Sequence, residues 1–162
     1  MIEDIVFTDT ELTTIPASEV DAEVVSTKLK FTAENLEGEE VSFEDFDGTK
    51  LMIINFWEPW CGPCVEEMPD LDKLYKNYKD KGLAVVGVFA DLDQLEEARE
   101  IIEEEGISYP ILKDNGEFAR FARDYVPSTV FVDGQGNLLT AEPLVGALKY
   151  EEWESIVSQV LS

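Results

Sequence analysis

The stretch 51-LMIINFWEPWCGPCVEEMPDLDKLYKNY-78 changes its period part-way along, and that change decides the fold. Residues 51–57 form an unbroken apolar run of strand length, the pattern of a central strand covered on both faces. From about Cys61 the apolar residues Met68, Leu71, Leu74, Tyr75 and Tyr78 recur at helical spacing, with Lys and Asp between them. Pro69 falls inside this helix and predicts a kink, because it lacks an N–H and crowds the turn before it. Gly82 ends the segment. The only two cysteines of the chain, Cys61 and Cys64, therefore sit where a buried strand becomes a helix.

Working outward, 83-LAVVGVFA-90 reads as a second buried strand. Residues 92–106 read as a helix burying Leu95, Ala98, Ile101 and Ile102 and closed by Gly106. Then come a short extended piece (107-ISYPIL-112) and a third helix (116-GEFARFARDY-125) burying Phe118, Phe121, Ala122 and Tyr125. Two strands around a glycine-rich turn follow over 126–146. A terminal helix carries Leu148, Trp153, Ile156, Val157, Val160 and Leu161 on one side. Upstream, 29-LKFTAENLEGEEVSF-43 predicts a hairpin about Glu37–Gly38, and 43-FEDFDGTK-50 a short turn region. Residues 1–28 read as an acidic lead-in, flexible or an added edge strand, ahead of one domain over 29–162. This order is α/β: a central mixed sheet with helices on both faces.

A length of 162 residues, 44% of them hydrophobic, suits one globular domain with a proper core. With 36 acidic and 12 basic residues the formal net charge is −24, a surface that repels nucleic acid and anionic membrane. Lys73, Lys76, Lys79 and Lys81 cluster just after the cysteines; they read as helix-surface lysines, with a docking patch as the alternative. No apolar run reaches the length of a membrane helix. The N-terminus shows neither a basic nor an apolar export region, so it reads either as a cytoplasmic start or as one that follows a removed export segment.

There is no histidine, which excludes imidazole zinc sites and Cys–His or Ser–His nucleophile pairs. A metal site is left with two ligands where it needs four, so no metal and no cofactor is expected. A disulfide spanning two intervening residues closes almost no loop and removes little unfolded-state entropy. Redox chemistry is the reading that remains. At a helix N-terminus, free N–H groups and the positive dipole end stabilise a thiolate on Cys61, while Cys64, one turn on, is more buried and placed to attack a mixed disulfide. C-x-x-C after a strand in a βαβ pattern reads as a thioredoxin-like redox motif.

The segment 56-FWEPWCGPC-64 resembles the active-site strand and loop of thioredoxin, including the Gly62–Pro63 pair between the cysteines. The wider chain, over residues 29–161, resembles the TlpA/ResA-like thiol–disulfide oxidoreductases. That likeness is carried by 31-FTAENLEGEEVSFEDFDGTKLMIINFW-57, 64-CVEEMPDLDKLYKNY-78, 106-GISYPILKD-114 and 126-VPSTVFVDGQGNLL-139. It implies a thioredoxin-like fold with an N-terminal strand extension and an inserted αβ element. It implies Cys61 as the nucleophile toward a partner's disulfide and Cys64 as the resolving thiol. Pro127 takes the place of a cis-proline lying against the cysteines, leaving the Val126 backbone to pair with the bound substrate. Trp60, with Gly62 and Pro63, forms part of the substrate surface, whereas Trp57 reads equally as core. Glu67 matches an active-site glutamate of the ResA-like branch, on the same helix face as Cys64; a solvated helix glutamate is its other reading.

Two departures stand out. Thioredoxin proper has a buried aspartate in the strand before the motif, where this chain has Asn55, which shifts the weight of proton transfer onto Glu67 or a water. The loop 123-RDYVPST-129 is compact where some relatives have longer partner-selecting loops. The resemblance further implies a protein-disulfide reductase acting as a monomer outside the cytoplasm, membrane-anchored in full-length form. Its partners would be a disulfide-bearing client, an apocytochrome c among the candidates, and an upstream thiol reductant. The oxidase or isomerase direction, a binding module without turnover, and a thiol peroxidase are the alternatives.

Overall fold

The computed structural model describes residues 29–118, 125–140 and 142–161. The lead-in expected over 1–28 lies outside the described residues. Strand β3 (Leu51–Phe56), buried at every position, runs through the middle of a five-stranded sheet. It pairs in parallel with β4 (Leu83–Phe89) and antiparallel with β6 (Ser128–Asp133). Strand β5 (Ile111–Lys113) lies in parallel beyond β4, and β7 (Leu144–Val145) lies antiparallel beyond β6. The expected hairpin is present as β1 (Thr32–Glu34) and β2 (Glu40–Ser42), a separate antiparallel pair bridged to the main sheet through Asn35 and Leu112. Among the described residues, helices α1 (Gly62–Tyr78), α2 (Leu95–Glu105) and α3 (Tyr150–Leu161) give the sheet its mixed α/β architecture. Helix α1 runs on through Pro69.

The alternation of side chains along the central strands splits the core in two. Leu51, Ile53 and Trp57 from the β3 segment, Leu83, Val85 and Phe89 from β4 and Phe131 from β6 turn one way, against Met68, Leu71 and Leu74 of α1, Ala98 of α2 and Trp153, Ile156 and Val157 of α3. Met52, Ile54, Phe56, Ala84, Val86, Val88, Val130 and Val132 turn the other way, against Leu29, Phe31, Ala33, Phe43 and Phe118. Each of the large buried side chains contributes roughly 1.5–3 kcal/mol relative to exposure. Among the described residues the three helices thus share one face, and the hairpin with Phe118 covers the other.

Two expectations change in detail. Residues 119–124 of the third expected helix lie outside the described residues; Phe118 is buried as expected, but Tyr125 is 70% exposed. Residues 125–127 are bends leading into β6, so Tyr125 follows the loop and not a helix face. The turn after β6 is held by Asp133, which accepts from the N–H groups of Gln135 and Asn137. Beyond it, among the described residues, a single bridge from Leu138 to Val132 precedes the regular pairing of β7.

The four lysines of α1 and the turn after it are occupied locally. Lys76 pairs with Asp72 at 3.0 Å, and Lys73, Lys79 and Lys81 lie over the rings of Tyr150, Tyr75 and Tyr78. This supports the helix-surface reading of the cluster. Gly82, at φ +107°, closes that turn, and a Cβ there would meet Lys50 Cγ at 2.9 Å.

Asp72 fastens α1 to the inserted element. One oxygen accepts from Ser108 N (2.7 Å) and Ser108 Oγ (2.8 Å), the other faces Lys76. Burial pushes this carboxyl up, but the Ser108 and Lys76 interactions outweigh it and leave it below the usual range. Asp72→Ala is expected to cost roughly 1.5–3 kcal/mol, the loss of the Ser108 hydrogen bonds to a charged carboxylate, read as a lower midpoint in urea unfolding.

Candidate redox site

The carboxyl ends of β3 and β4 and the amino end of β6 meet at one rim of the sheet, because β4 is parallel and β6 antiparallel to β3. The chain leaves β3 still tied to β4, Trp57 N donating to Val88 O at 3.0 Å. It then makes a tight turn in which Cys61 N donates to Glu58 O at 3.0 Å. Cys61 is the N-cap of α1, its sulfur accepting from Cys64 N at 3.2 Å. Gly62 and Pro63 form the first positions of the helix, where a proline costs no hydrogen bond because the first N–H groups have no partner within the helix.

Cys61 and Cys64 are joined in a disulfide, their Cα atoms 5.3 Å apart. Cys61 retains 6% of its surface and Cys64 none, the asymmetry expected of an attacking and a resolving sulfur. Trp60, directly before Cys61, is 63% exposed, while Trp57 is wholly buried and packs against Phe89 at 5.6 Å between ring centres. The Val126–Pro127 peptide is cis. Phe56 pairs with Ser128 in register, so Pro127 lies at the same rim as the redox loop. Pro127 is buried and Val126 half-buried, and Val126 packs against the cluster that contains both cysteines. Among the described residues no hydrogen bond is made to the Val126 backbone, while Pro127 O accepts from Gly146 N at 2.8 Å.

Beneath the disulfide lies a buried polar cluster. Glu67, one helical turn beyond Cys64, is 2% exposed. Its Oε1 accepts from Asn55 Nδ2 at 3.0 Å, and its Oε2 from Leu148 N at 2.9 Å. Asn55 Nδ2 also donates to Thr129 Oγ1 at 3.2 Å, its partner residue on β6. Burial pushes the Glu67 carboxyl up to about 7; the Leu148 and Asn55 hydrogen bonds pull it down, and Asp70 adds to the rise. A carboxyl poised there exchanges protons readily near neutral pH. Gly87, in register with Asn55 on β4, keeps this layer open: a Cβ would meet Ile111 Cδ1 at 2.8 Å and Trp57 Nε1 at 3.3 Å. Tyr109 from the insert packs beside it, its buried hydroxyl held well above the usual phenol range by burial, with Glu67 and Asp72 adding.

The structure thus gathers Trp60, Cys61, Gly62, Pro63, Cys64, Val126 and Pro127 at one rim and sets Glu67 and Asn55 under them. Glu67 is buried and hydrogen-bonded, which excludes the solvated-helix reading. Sequence reasoning missed Thr129 and Tyr109, for which no local signal exists. It also missed Glu58, which does carry one: a carboxylate set between two tryptophans in an otherwise apolar stretch. Glu58 is 8% exposed and accepts from Ala90 N at 2.9 Å and Asp91 N at 3.0 Å.

The AhpC/TSA family pattern matches residues 25–140, more than half of the chain. The thiol–disulfide oxidoreductase ResA of Oceanobacillus iheyensis is 32% identical over 135 residues, spanning 82% of this chain and 68% of that protein. The thioredoxin-like protein YneN of Bacillus subtilis is 36% identical over 127 residues, spanning 76% of this chain and 72% of that protein. Among solved structures, a thiol:disulfide interchange protein of the thioredoxin family from Chlorobium tepidum superposes with a TM-score of 0.73 at 26% identity, covering 84% of this chain and 96% of that one.

Proposed function

Since the chain belongs to the AhpC/TSA family and is a thiol–disulfide oxidoreductase of thioredoxin-like fold acting on disulfide-bearing clients, we propose that it runs in the reducing direction through Cys61 and Cys64, with Glu67 moving the proton. The observation that carries this reading is the pairing of a capped, slightly exposed Cys61 with a sealed Cys64 above a buried carboxyl.

In the reduced enzyme the Cys61 thiolate attacks one sulfur of a client disulfide. A bond forms between Cys61 and the client, and the second client sulfur leaves as thiolate. Cys64 gives its proton to Glu67 and attacks Cys61, closing the Cys61–Cys64 disulfide and releasing the first client sulfur. Two electrons pass from the dithiol to the client, and an upstream thiol reductant must restore them. The exposed face of Trp60, the first turn at Gly62 and Pro63, and the Val126 backbone beside Pro127 form the surface on which the client strand lies. The working unit is residues 29–162, acting as a monomer, with an apocytochrome c as a fitting client. Its place is outside the cytoplasm on a membrane anchor, as the TlpA/ResA-like resemblance implies. No helix among the described residues is long and apolar enough to cross a membrane.

Equilibration with glutathione buffers tests the direction. A potential well below about −180 mV, where isomerases and oxidants begin, is expected. A value well above it makes the protein an oxidant, with the same steps run backward.

A further inference from the structure

Glu58 stands three residues before the nucleophile and is absorbed by none of the steps above. A charged side chain between two tryptophans normally turns to solvent. Here it turns inward, and both carboxylate oxygens are used: Oε2 on Ala90 N, Oε1 on Asp91 N. Those amides close β4 and open the turn Leu92–Gln94 that leads into α2. The side chain therefore bolts the redox loop to the start of the inserted element.

The main chain of the same residue binds the redox loop from the other side, Glu58 O accepting from Cys61 N. A turn closed by that bond holds the Cα atoms of Glu58 and Cys61 within about 7 Å of each other. The residue whose main chain closes the redox loop thus also carries a fixed carboxylate that is largely removed from water. The neighbouring ionisable groups do not offset it, since Asp91 and Asp114, the charges that act on Glu58, are both acidic.

We propose that Glu58 is a positioning residue for Cys61: it clamps the redox loop to the β4–α2 turn and disfavours the Cys61 thiolate, holding the dithiol–disulfide couple toward the reducing side. The sign follows from linkage. A nearby negative charge raises the free energy of the thiolate, hence of the reduced form, and so favours the disulfide. The helix N-terminus, which acts on Cys61 in the opposite sense, is thereby partly offset.

The inference rests on the dithiol reading of Cys61 and Cys64, and its test is separable from that reading. Glu58→Gln keeps the size and one acceptor but removes the charge; Glu58→Asp keeps the charge but shortens the reach. For Glu58→Gln, the Cys61 thiol should titrate lower, and the equilibrium with glutathione should shift about fivefold toward the dithiol, roughly 20 mV at 30 mV per tenfold. Glu58→Asp should stay near wild type in both, while unfolding at lower denaturant because the clamp is strained. A purely structural Glu58 predicts the reverse: lower stability for both variants with no change in Cys61 titration or potential for Glu58→Gln. Should Glu58→Gln not fold, Glu58→Asn and Glu58→Asp, equally short and differing only in charge, are compared instead: a displacement of about fivefold toward the dithiol for Glu58→Asn relative to Glu58→Asp is expected, and equal potentials overturn the charge assignment. Wild-type protein that does not exchange with glutathione at all sinks the dithiol reading instead.

Discussion

Cys61→Ser is expected to reduce insulin with dithiothreitol no faster than dithiothreitol alone. A serine hydroxyl does not ionise at neutral pH, so the attacking anion disappears. Cys64 cannot replace it, because it is fully buried in the cluster with Trp57, Met68 and Leu71 and offers no sulfur surface to a client. Cys64→Ser should behave differently: Cys61 still attacks, but nothing resolves the product, so a mixed disulfide accumulates and survives until an external thiol is added. Loss of the bridge should cost either variant about 2 kcal/mol, the chain-entropy value for so short a loop. Equal insulin rates for wild type and Cys61→Ser would reduce the protein to a binding module that keeps the fold without turnover.

Glu67→Gln carries the second large effect, and it separates into two readouts. The first is catalytic. With no group to take the proton, attack by Cys64 on the mixed disulfide should slow by about a hundredfold near pH 7, the lower end of what general acid–base catalysis contributes. Stopped-flow resolution of a preformed mixed disulfide measures this step, and an unchanged rate would remove Glu67 from the chemistry. The second is thermodynamic. The folded protein holds the Glu67 proton up to about pH 7, against an ordinary carboxyl near 4.5. Between those values the native state binds more protons than the unfolded one, so stability falls as pH rises through the window and the loss is complete above about 7. A shift of that size corresponds to about 3 kcal/mol. In Glu67→Gln the slope should vanish, leaving the variant less pH-sensitive than wild type between pH 4.5 and 8 in denaturant melts of the disulfide form. The variant retains a packed site, because Asn55 Oδ1, unpaired in the structure, can turn to accept from the new amide. The repulsion expected from a net charge of −24 acts on both proteins, so their difference isolates Glu67.

Much of this site was legible from local pattern. The apolar run of β3 and the helical spacing after Cys61 locate the strand–helix junction, and two cysteines without histidine leave redox chemistry. The i, i+3 relation brings Glu67 to the face of Cys64. What the pattern did not carry is the state of Glu67, since the same spacing describes a solvated glutamate equally well. Its partners lie 12 residues away at Asn55 and 81 away at Leu148, and Asn55 is in turn held by Thr129, 74 residues on. Tyr125 shows the opposite error, a ring assigned to the core by helical spacing that belongs to the bend before β6.

The sequence by itself thus determined the strand–helix junction and where the two sulfurs stand, because strand and helix periods and capping are properties of neighbours along the chain. Only the tertiary structure decided which polar groups lose their water. Whether Glu67 and Glu58 are buried depends on the pairing of β3 with β4 and β6 and on the chain before α3 folding back over α1. Burial and distant hydrogen-bond donors, which no local pattern contains, set the free energy of each charge.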